Sequence, residues 1–444
     1  MEHGAGARFT RAIANMYEET SYVPKVCNLI GEGISAKHGV TQGRQSSTSI
    51  FSFEVSKLPS HVDVPQSCLR GFNCCQLADD TALPVEDRPG LITAFAKCFD
   101  FSEINYMFAN VVKTVYLHLH DEPDTQPLLI NEETTIGAAE NNEYVYLGML
   151  FIASSDIIKH IESNLRRRAF HEATFFEWLS VNERTPIRIK VHVLYACMFN
   201  AYLYGAEAWW KVDDVSENIL KLERKLLKAV LCANQSTPHD IVYLELNRPD
   251  IVAIVKQRQH SFFKRLNSLN SDDSICKKLV DRFRNLPVCT YYDRLNENSV
   301  SENKAERVQR CSRATSRHLS RYNNLINCER NHIIYDSFIH ENLRIVISRW
   351  RLSNHKLMVE TGRRHTPKIP RDQRICSRCQ VLEDENHALF ECPHYCSARR
   401  KFSGFLEKYS SVREILNPEN VEDATMLGNY LTEIEKIRKS LNLE

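Results

Sequence analysis

The distribution of hydrophobic and polar positions changes character along this chain of 444 residues. In the first third, short apolar runs alternate with turn residues, a pattern typical of small strands and hairpins between helices. After residue 153, apolar residues recur every three or four positions, which is the spacing of one face of an α-helix. The pattern predicts an α+β fold, in which a small antiparallel sheet with helices is followed by a mainly α-helical region.

The first third is predicted to begin with an amphipathic helix at residues 8–22. An extended segment, residues 22–30, follows it, and the glycines within residues 31–33 suit a hairpin turn. Residues 50–58 and 89–99 have the spacing of further helices. These elements surround a short hairpin that carries the first candidate site.

That hairpin places two aspartates side by side. Residues 69–77 resemble a short strand and residues 81–85 its return, so Asp79 and Asp80 are expected at the tip. Neighbouring carboxylates repel one another, and a divalent cation relieves that repulsion. The alternative is an ordinary surface turn, in which aspartate is common.

The helical region contains its own start signals. Ser155 or Asp156 can cap a helix whose apolar residues have helical spacing, with the arginines at residues 166–168 emerging on another face. Pro186 suits a first helical position, and the apolar helix that it opens is predicted to run to Trp210.

Composition narrows the class of protein. The charged fraction of 25% and the hydrophobic fraction of 43% are ordinary for a globular chain, and a formal net charge of +1 gives no overall signature of nucleic-acid binding. The 15 cysteines are mostly isolated on apolar stretches, which predicts a reducing compartment. The N-terminus lacks the apolar core of a signal peptide, and polar residues interrupt the most apolar stretch, residues 191–210. We therefore expect a soluble intracellular protein, located in the nucleus, the cytoplasm or both, without a membrane partner.

One dense group of cysteines near the C-terminus has the spacing of a zinc site. Two cysteines separated by two residues suit a tight turn, and a histidine and a third cysteine follow on a short helix. Four such ligands would close a tetrahedral Zn²⁺ site with no open position, so the metal would be structural. Cys396 could replace Cys392 as a ligand only if the ligand spacing were shifted, and His394 is not expected to be a ligand. The alternative to a zinc site is that the four residues are unlinked in a reduced protein. The candidate ligands are Cys376, Cys379, His387 and Cys392.

A basic helix face is predicted between the two candidate sites. Arginines recur there every three or four residues, and such a face can follow phosphates without reading sequence. The alternative is a solvated helix face, partly neutralised by Glu302 and Glu306. The arginines are Arg307, Arg310, Arg313, Arg317 and Arg321.

Several motifs follow one another in an order found in a known family. Residues 39–43 read Gly-Val-Thr-Gln-Gly, residues 77–80 Leu-Ala-Asp-Asp, residues 146–148 Tyr-Leu-Gly, and residues 369–376 Ile-Pro-Arg-Asp-Gln-Arg-Ile-Cys. In that order the chain resembles the reverse transcriptase of non-LTR (LINE-type) retrotransposons, from its palm through its thumb to its C-terminal zinc knuckle. It departs from the family where Thr41 replaces an arginine and Leu77 replaces an aromatic residue.

The resemblance also covers residues 203–209, Leu-Tyr-Gly-Ala-Glu-Ala-Trp, which match a stretch of the family's thumb. That region grips the duplex of primer and template in the family. The aromatic side chains of this stretch are expected to pack in the core.

The resemblance implies an RNA-directed DNA polymerase that works by two-metal nucleotidyl transfer, with Mg²⁺ ions about 4 Å apart. Its partners would be an RNA template, a DNA primer or target, and deoxynucleotides; protein partners are not indicated. The implied residues are Asp79 and Asp80 as catalytic Mg²⁺ ligands, Gln42, Gly43 and Lys113 in the template and nucleotide pocket, Tyr146, Leu147 and Gly148 in the primer grip, and Arg371, Arg374, Arg378, Arg399 and Arg400 on nucleic acid at the zinc knuckle.

In the order of the family, one further catalytic aspartate belongs upstream of residue 8. Asp100 lies in a similar local sequence, but its position after the Asp-Asp pair assigns it to a connecting helix, so we do not expect it to be a ligand. Catalysis by this polypeptide is therefore expected to be impaired. The alternative function is a catalytically inactive remnant that binds nucleic acid through its thumb and zinc knuckle.

Pattern and resemblance together divide the chain into six parts. They are a partial palm at 1–152, a helical thumb and connection at 153–292, a linker at 293–304, a basic helical region at 305–370, the CCHC zinc knuckle at 371–400 and C-terminal helices at 401–444.

Overall fold

The computed structural model describes residues 6–18, 21–35, 45–65, 74–269, 275–282, 284–313, 321, 322, 324, 326, 332–336 and 338–442. These residues form a mixed α+β structure with small sheets, which confirms the predicted class. The chain forms two compact units, Met1–Tyr144 and Val145–Glu444. The finer division into six parts remains a prediction.

The first unit combines helices with very short strands. Its helices are Ala7–Glu18, Gln45–Val55, Leu58–His61 and Arg88–Ile104. Its paired strands are Ser21–Tyr22 with Ile34–Ser35, Lys25–Val26 with Leu29–Ile30, Cys75–Leu77 with Asp80–Ala82, and Val115–Tyr116 and Leu128–Leu129 on either side of Thr135–Ala138.

The strands of the first unit differ from the predicted sheet. They form separate small sheets among the described residues, and the pair Val115–Tyr116 with Thr135–Ala138 is parallel. The first hairpin turns at Cys27, where φ is +54°, because Val26 pairs directly with Leu29. The prediction of a turn at residues 31–33 is therefore wrong, since that segment leads on to the next strand.

Two small apolar cores support the first unit. One surrounds Val62, Ala94 and Phe101, and the other surrounds Leu128 and Ile136. The helix Arg88–Ile104 contributes to both, and it begins where the Asp87 carboxylate accepts a hydrogen bond of 2.7 Å from the N–H of Gly90. A side-chain cap of this kind satisfies a backbone donor that the helix itself leaves open.

The second unit is built almost entirely from helices and short helical turns. Its longer helices are Ile157–Arg167, Phe170–Val181, Ile187–Val193, Val212–Val230, His239–Glu245, Ile251–Ser268, Ile275–Arg282, Pro287–Asp293, Ser299–Arg313, Glu341–Arg351, Met358–Arg364 and Val421–Ser440. Its shorter helical segments are Leu194–Phe199, Asn200–Tyr202, Ala206–Ala208, Ile333–Asp336, Arg371–Gln373, His387–Glu391, Pro393–Tyr395, Cys396–Lys401, Ser403–Leu406 and Val412–Ile415, and its strands are Glu143–Tyr146, which begins before the unit boundary, and Met149–Ile152.

Local signals account for where several of these helices begin and end. The sequence offered Ser155 or Asp156 as the cap of the helix Ile157–Arg167. The structure has Asp156 in this role, since its carboxylate accepts a hydrogen bond of 2.9 Å from the N–H of Ile158. The apolar helix opened by Pro186 ends near Tyr202, so the prediction that it reaches Trp210 is wrong. Gly205 has a φ of +81°, a left-handed conformation that interrupts the helix.

An extended core holds most of the second unit together, and a smaller one surrounds Phe263 and Tyr292. The extended core includes Trp209, Tyr243, Trp350 and Tyr430, all at most 2% exposed, from helices far apart in sequence. The residues around the candidate zinc ligands, Leu389 among them, belong to the same core. Among the described helices, none has both the length and the apolar character that crossing a membrane requires.

Candidate metal centre

The four predicted zinc ligands come together in space. The ligand atoms of Cys376, Cys379, His387 and Cys392 all lie within 4.8 Å of one another. The Sγ atom of Cys392 is 3.7 Å from that of Cys376 and 3.9 Å from that of Cys379. Zinc–sulfur bonds of about 2.3 Å in a tetrahedron would separate the sulfurs by about 3.8 Å. The cluster therefore has the size needed to hold a metal ion such as zinc, and Cys396 and His394 lie outside it.

Two tight turns bring these ligands together. In the first turn, the N–H of Cys376 donates to the carbonyl of Val381 at 2.7 Å, and Gln380 has a left-handed φ of +57°. In the second turn, the N–H of Cys392 donates to the carbonyl of His387 at 2.7 Å. Each turn, closed by backbone hydrogen bonds, thus holds two of the four candidate ligands close together.

The imidazole of His387 is oriented for metal binding. Its Nδ1 lies 3.4 Å from a carboxylate oxygen of Glu391, while its buried Nε2 has no hydrogen-bond partner among the described atoms. Metal-binding histidines usually donate their second ring nitrogen to a carboxylate, which fixes the ring and makes the ligating nitrogen more basic. In this geometry Nε2 would be the nitrogen that binds a metal, and Nδ1–H would donate to Glu391.

The thiols differ in how easily they ionise. Burial opposes ionisation of Cys376, but the backbone N–H groups of Cys379 and Arg378, with the His387 side chain, outweigh it and lower the pKa of that thiol. Burial raises the pKa of the Cys392 thiol to about 12. A bound cation would supply the positive charge that a second and third thiolate need in this buried place.

Buried charges attach the turns of the cluster to the C-terminal helix Val421–Ser440. Arg438, which is 3% exposed, donates to Glu383 at 2.5 Å and to the hydroxyl of Tyr395 at 2.7 Å. On the same helix, the hydroxyl of Tyr430 donates to the carbonyl of Leu389 at 2.5 Å. The helix therefore contacts the segment before His387 and the segment that follows it.

The five arginines predicted to contact nucleic acid have two different environments. Arg374 donates to the carbonyls of Ile369 and Val359, and Arg399 donates to the carbonyl of Cys392 at 2.6 Å. These two side chains therefore serve the structure of the cluster. The other three, which are Arg371, Arg378 and Arg400, are exposed.

The predicted basic helix face is largely neutralised by acids. Arg307 is 5% exposed and donates to Asp240 and Asp250, and Arg310 also pairs with Asp240. Arg321 pairs with Glu385. The face is therefore not free at these three arginines. Each has an acidic partner more than 50 residues away in sequence, and Arg310 also pairs with Glu306, one of the two acids that the alternative named. Arg313 is exposed, and Arg317 lies outside the described residues.

The paired aspartates lie where the sequence placed them, at the tip of a hairpin. Leu77 pairs with Asp80, so Ala78 and Asp79 form a two-residue turn in which Ala78 has a φ of +54°. Both aspartates are exposed. Within the described part of the chain, no third acidic, histidine or cysteine side chain joins them in a cluster of metal-binding size.

The remaining predicted site residues lie in turns, at a strand end or outside the described residues. Gln42 and Gly43 lie outside the described residues, and Lys113 is exposed in a turn after Asn110. Tyr146 ends a strand, and Leu147 and Gly148 form the turn that follows it, with φ of +48° and +79°. The described residues therefore do not show a complete polymerase centre.

Asp100 has a partner of its own. It lies in the helix Arg88–Ile104, where its carboxylate is 2.8 Å from Nε2 of His61. Asp100 thus lies in a helix, as expected, and its role in the order of the family remains a prediction.

Sequence reasoning missed the residues that support the metal ligands. Glu391 could have been suspected, because it lies four residues after His387, on the same face of a helical turn. Glu383 and Arg438 carried no such signal, since 55 residues separate them. In comparisons with known proteins, no family model matches the chain, and no curated protein matches it significantly.

Proposed function

We propose that this chain derives from a non-LTR (LINE-type) reverse transcriptase and acts as a metal-stabilised nucleic-acid-binding protein. The observation that carries the proposal is the cluster of Cys376, Cys379, His387 and Cys392, which has ligand distances suited to zinc and occurs in the order of the family's motifs. Zinc would be structural here, because four protein ligands leave no open coordination position.

Exposed arginines around the cluster support a role in nucleic-acid binding. Arg371 precedes the first cysteine, Arg378 lies between the first two, and Arg400 follows the last. A metal that fixes the backbone of this segment would also fix the positions from which these three side chains reach phosphates. Such contacts supply affinity that depends on salt and not on sequence.

Replacing these three arginines together with glutamine is expected to weaken binding of single-stranded RNA and to reduce its salt dependence. Each lost phosphate contact removes about 0.7 from the slope of log affinity against log salt, so three contacts remove about 2. Fluorescence anisotropy with a labelled oligonucleotide across a salt series measures both quantities. Chelation of the metal is expected to weaken binding by the wild-type protein as well.

The matched control removes three other exposed cations, Arg413, Lys436 and Lys439, and thereby changes the net charge by the same amount. Equal losses in the two triple variants would show a general charge effect and would contradict the proposed site. Binding that is insensitive to both salt and chelation would rule out the role of the zinc cluster.

A second candidate function is RNA-directed DNA polymerase activity. The observation that favours it is the exposed pair Asp79 and Asp80 at the tip of a two-residue hairpin turn, the position that would hold Mg²⁺ in the family. The pair has no third carboxylate among the described residues, so we expect nucleic-acid binding without extension of a primer. A primed RNA template with Mg²⁺ and deoxynucleotides tests this, and extension that disappears in Asp79→Asn would establish the polymerase instead.

A further inference from the structure

The turn at Leu147 and Gly148 packs against the loop at Tyr204 and Gly205. Both glycines have left-handed backbones, with φ of +79° and +81°. A Cβ atom on Gly148 would lie 3.3 Å from Cε1 of Tyr204, and one on Gly205 would lie 2.5 Å from Sδ of Met149. Both glycines are therefore needed for the close approach of these two segments.

A buried arginine joins the same two segments. Arg168 is 6% exposed and donates to the carbonyl of Tyr204 at 2.6 Å and to that of Gly148 at 3.0 Å. Burial, followed by the nearby charge of Arg167, lowers the pKa of Arg168. The prediction that Arg168 emerges on the helix surface is therefore wrong. Burying a cation that is bound mainly to carbonyls costs folding free energy. Arg168 therefore holds the loop in one conformation, but it lowers the stability of the protein in doing so.

The residue held by this arrangement is an exposed aromatic side chain. Tyr204 is 52% exposed, although its neighbour Leu203 is 1% exposed and Trp209 is 2% exposed. The expectation that the aromatic residues of this stretch pack in the core thus fails at Tyr204. The guanidinium of Arg168 lies 5.4 Å from the centre of the Tyr204 ring.

Positive charge and apolar surface accompany the ring. Arg166 and Arg167 are exposed at the end of the helix Ile157–Arg167, directly before Arg168. Leu147 at the turn is 37% exposed. Here an exposed aromatic side chain is held by an arginine that directly follows two exposed arginines. Exposed aromatic rings and cations are the groups by which proteins bind single strands, since bases stack on the ring and cations contact the phosphates.

We propose that Tyr204 is a stacking platform for one base of a single-stranded nucleic acid, with Arg168 as the residue that positions it. Arg166 and Arg167 contact the neighbouring phosphates. This site rests on the proposed nucleic-acid-binding function and adds to it a second contact point, separate from the zinc cluster.

Tyr204→Ala in the full-length, metal-loaded protein is expected to weaken binding of a single-stranded oligonucleotide about 5- to 150-fold, the usual loss when one stacking aromatic is removed. Tyr204→Phe is expected to bind like the wild type, because the ring is retained. Fluorescence anisotropy measures the affinities. The matched control is Phe338→Ala, since Phe338 is also an exposed aromatic of the same unit, at 89% exposure, and its removal should change nothing.

A backbone without bases distinguishes stacking from every other contact. The wild-type protein is expected to bind an abasic oligomer of equal length more weakly than the natural oligomer, and Tyr204→Ala is expected to lose this preference. A loss in Tyr204→Ala that is equally large on the abasic oligomer would overturn the proposal.

The role of Arg168 is tested by a double-mutant cycle. Lysine cannot bridge two carbonyls as a guanidinium does, so Arg168→Lys is expected to lose affinity as Tyr204→Ala does, and the double variant is expected to lose no more than either. Additive losses would contradict positioning by Arg168. If Tyr204→Ala binds like the wild type, the stacking site is rejected while the proposed function stands, whereas a wild-type protein that binds no nucleic acid rejects both.

Discussion

Cys392→Ala is expected to abolish stoichiometric zinc binding, lowering the zinc content of the purified protein from about one ion per chain to nearly none. Cys392 contributes the sulfur that lies 3.7 Å and 3.9 Å from the other two, so its loss removes one corner of the cluster. Metal analysis by mass spectrometry or a colorimetric chelator measures the content. A protein with three remaining ligands holds structural zinc weakly.

The same substitution is expected to unfold the segment at residues 376–392 locally. Structural zinc contributes about 10–16 kcal/mol to the folding of isolated zinc-finger peptides, which exceeds the stability of many whole domains. Hydrogen exchange should show protection lost first in this segment and then in the helix Val421–Ser440, which is bound to it through Arg438 and Tyr430. Protection that persists in both regions after loss of zinc would contradict a structural role for the metal.

Two further variants are expected to retain zinc to different extents. Cys396→Ala changes a cysteine outside the cluster and should retain the full zinc content. Glu391→Gln keeps all four ligands but weakens the carboxylate that faces Nδ1 of His387, so zinc affinity should fall about 10- to 100-fold. Zinc loss in Cys396→Ala would show that the register of the ligands has been assigned incorrectly.

The second large effect is expected at Glu245, whose carboxylate lies in the core of the second unit. It is 1% exposed and accepts hydrogen bonds from Arg351 at 2.6 Å and from the hydroxyls of Tyr322 and Tyr335 at 2.5 and 2.6 Å. Glu245→Gln leaves the buried guanidinium of Arg351 without its counter-charge. The free energy of unfolding should fall by about 3–5 kcal/mol, as measured by denaturant titration.

The ion pair also makes stability depend on pH. Burial alone would raise the pKa of Glu245, but Arg351, His332 and Tyr322 together outweigh burial and lower that pKa from its ordinary value of 4.5 to about 2. Because the folded-state pKa lies below the unfolded one, the contribution is complete above about pH 4.5 and is lost as the pH falls towards 2. Glu245→Gln should therefore flatten the acid limb of the stability profile between these values.

An exposed ion pair supplies the control. Glu297 lies 3.4 Å from Lys264, and both side chains are more than two-thirds exposed, so Glu297→Gln should cost less than about 1 kcal/mol. Similar costs for the two glutamine variants would mean that Glu245 is not held by a buried charge.

Several features of the candidate sites were predictable because they depend on neighbours in sequence. The hairpin at Asp79 and Asp80 follows from two short apolar runs around a two-residue turn. The zinc ligands follow from cysteine and histidine spacing, because each of the two turns is closed by backbone hydrogen bonds between nearby residues. The metal cluster itself is confirmed by its geometry, whereas the reverse-transcriptase assignment remains a proposal.

The charged residues were predicted much less well. Arg307 and Arg321 have the spacing of a solvent-facing basic helix, yet both are paired with acids from distant segments. Arg168 follows two exposed arginines but is buried under the loop at Tyr204. Nothing in the local sequence distinguishes an arginine that meets solvent from one that meets a distant carboxylate or carbonyl.

By itself, the sequence determined the fold class, the hairpin of paired aspartates and the identity of the four candidate metal ligands. These features arise from periodicity, turn chemistry and ligand spacing, which act over a few residues. Only the tertiary structure decided which charges are neutralised, that Glu391 orients His387, and that Tyr204 remains exposed while its neighbours are buried. Those outcomes depend on which distant segments meet in the core, because burial and charge pairing are properties of the assembled chain and not of its local pattern.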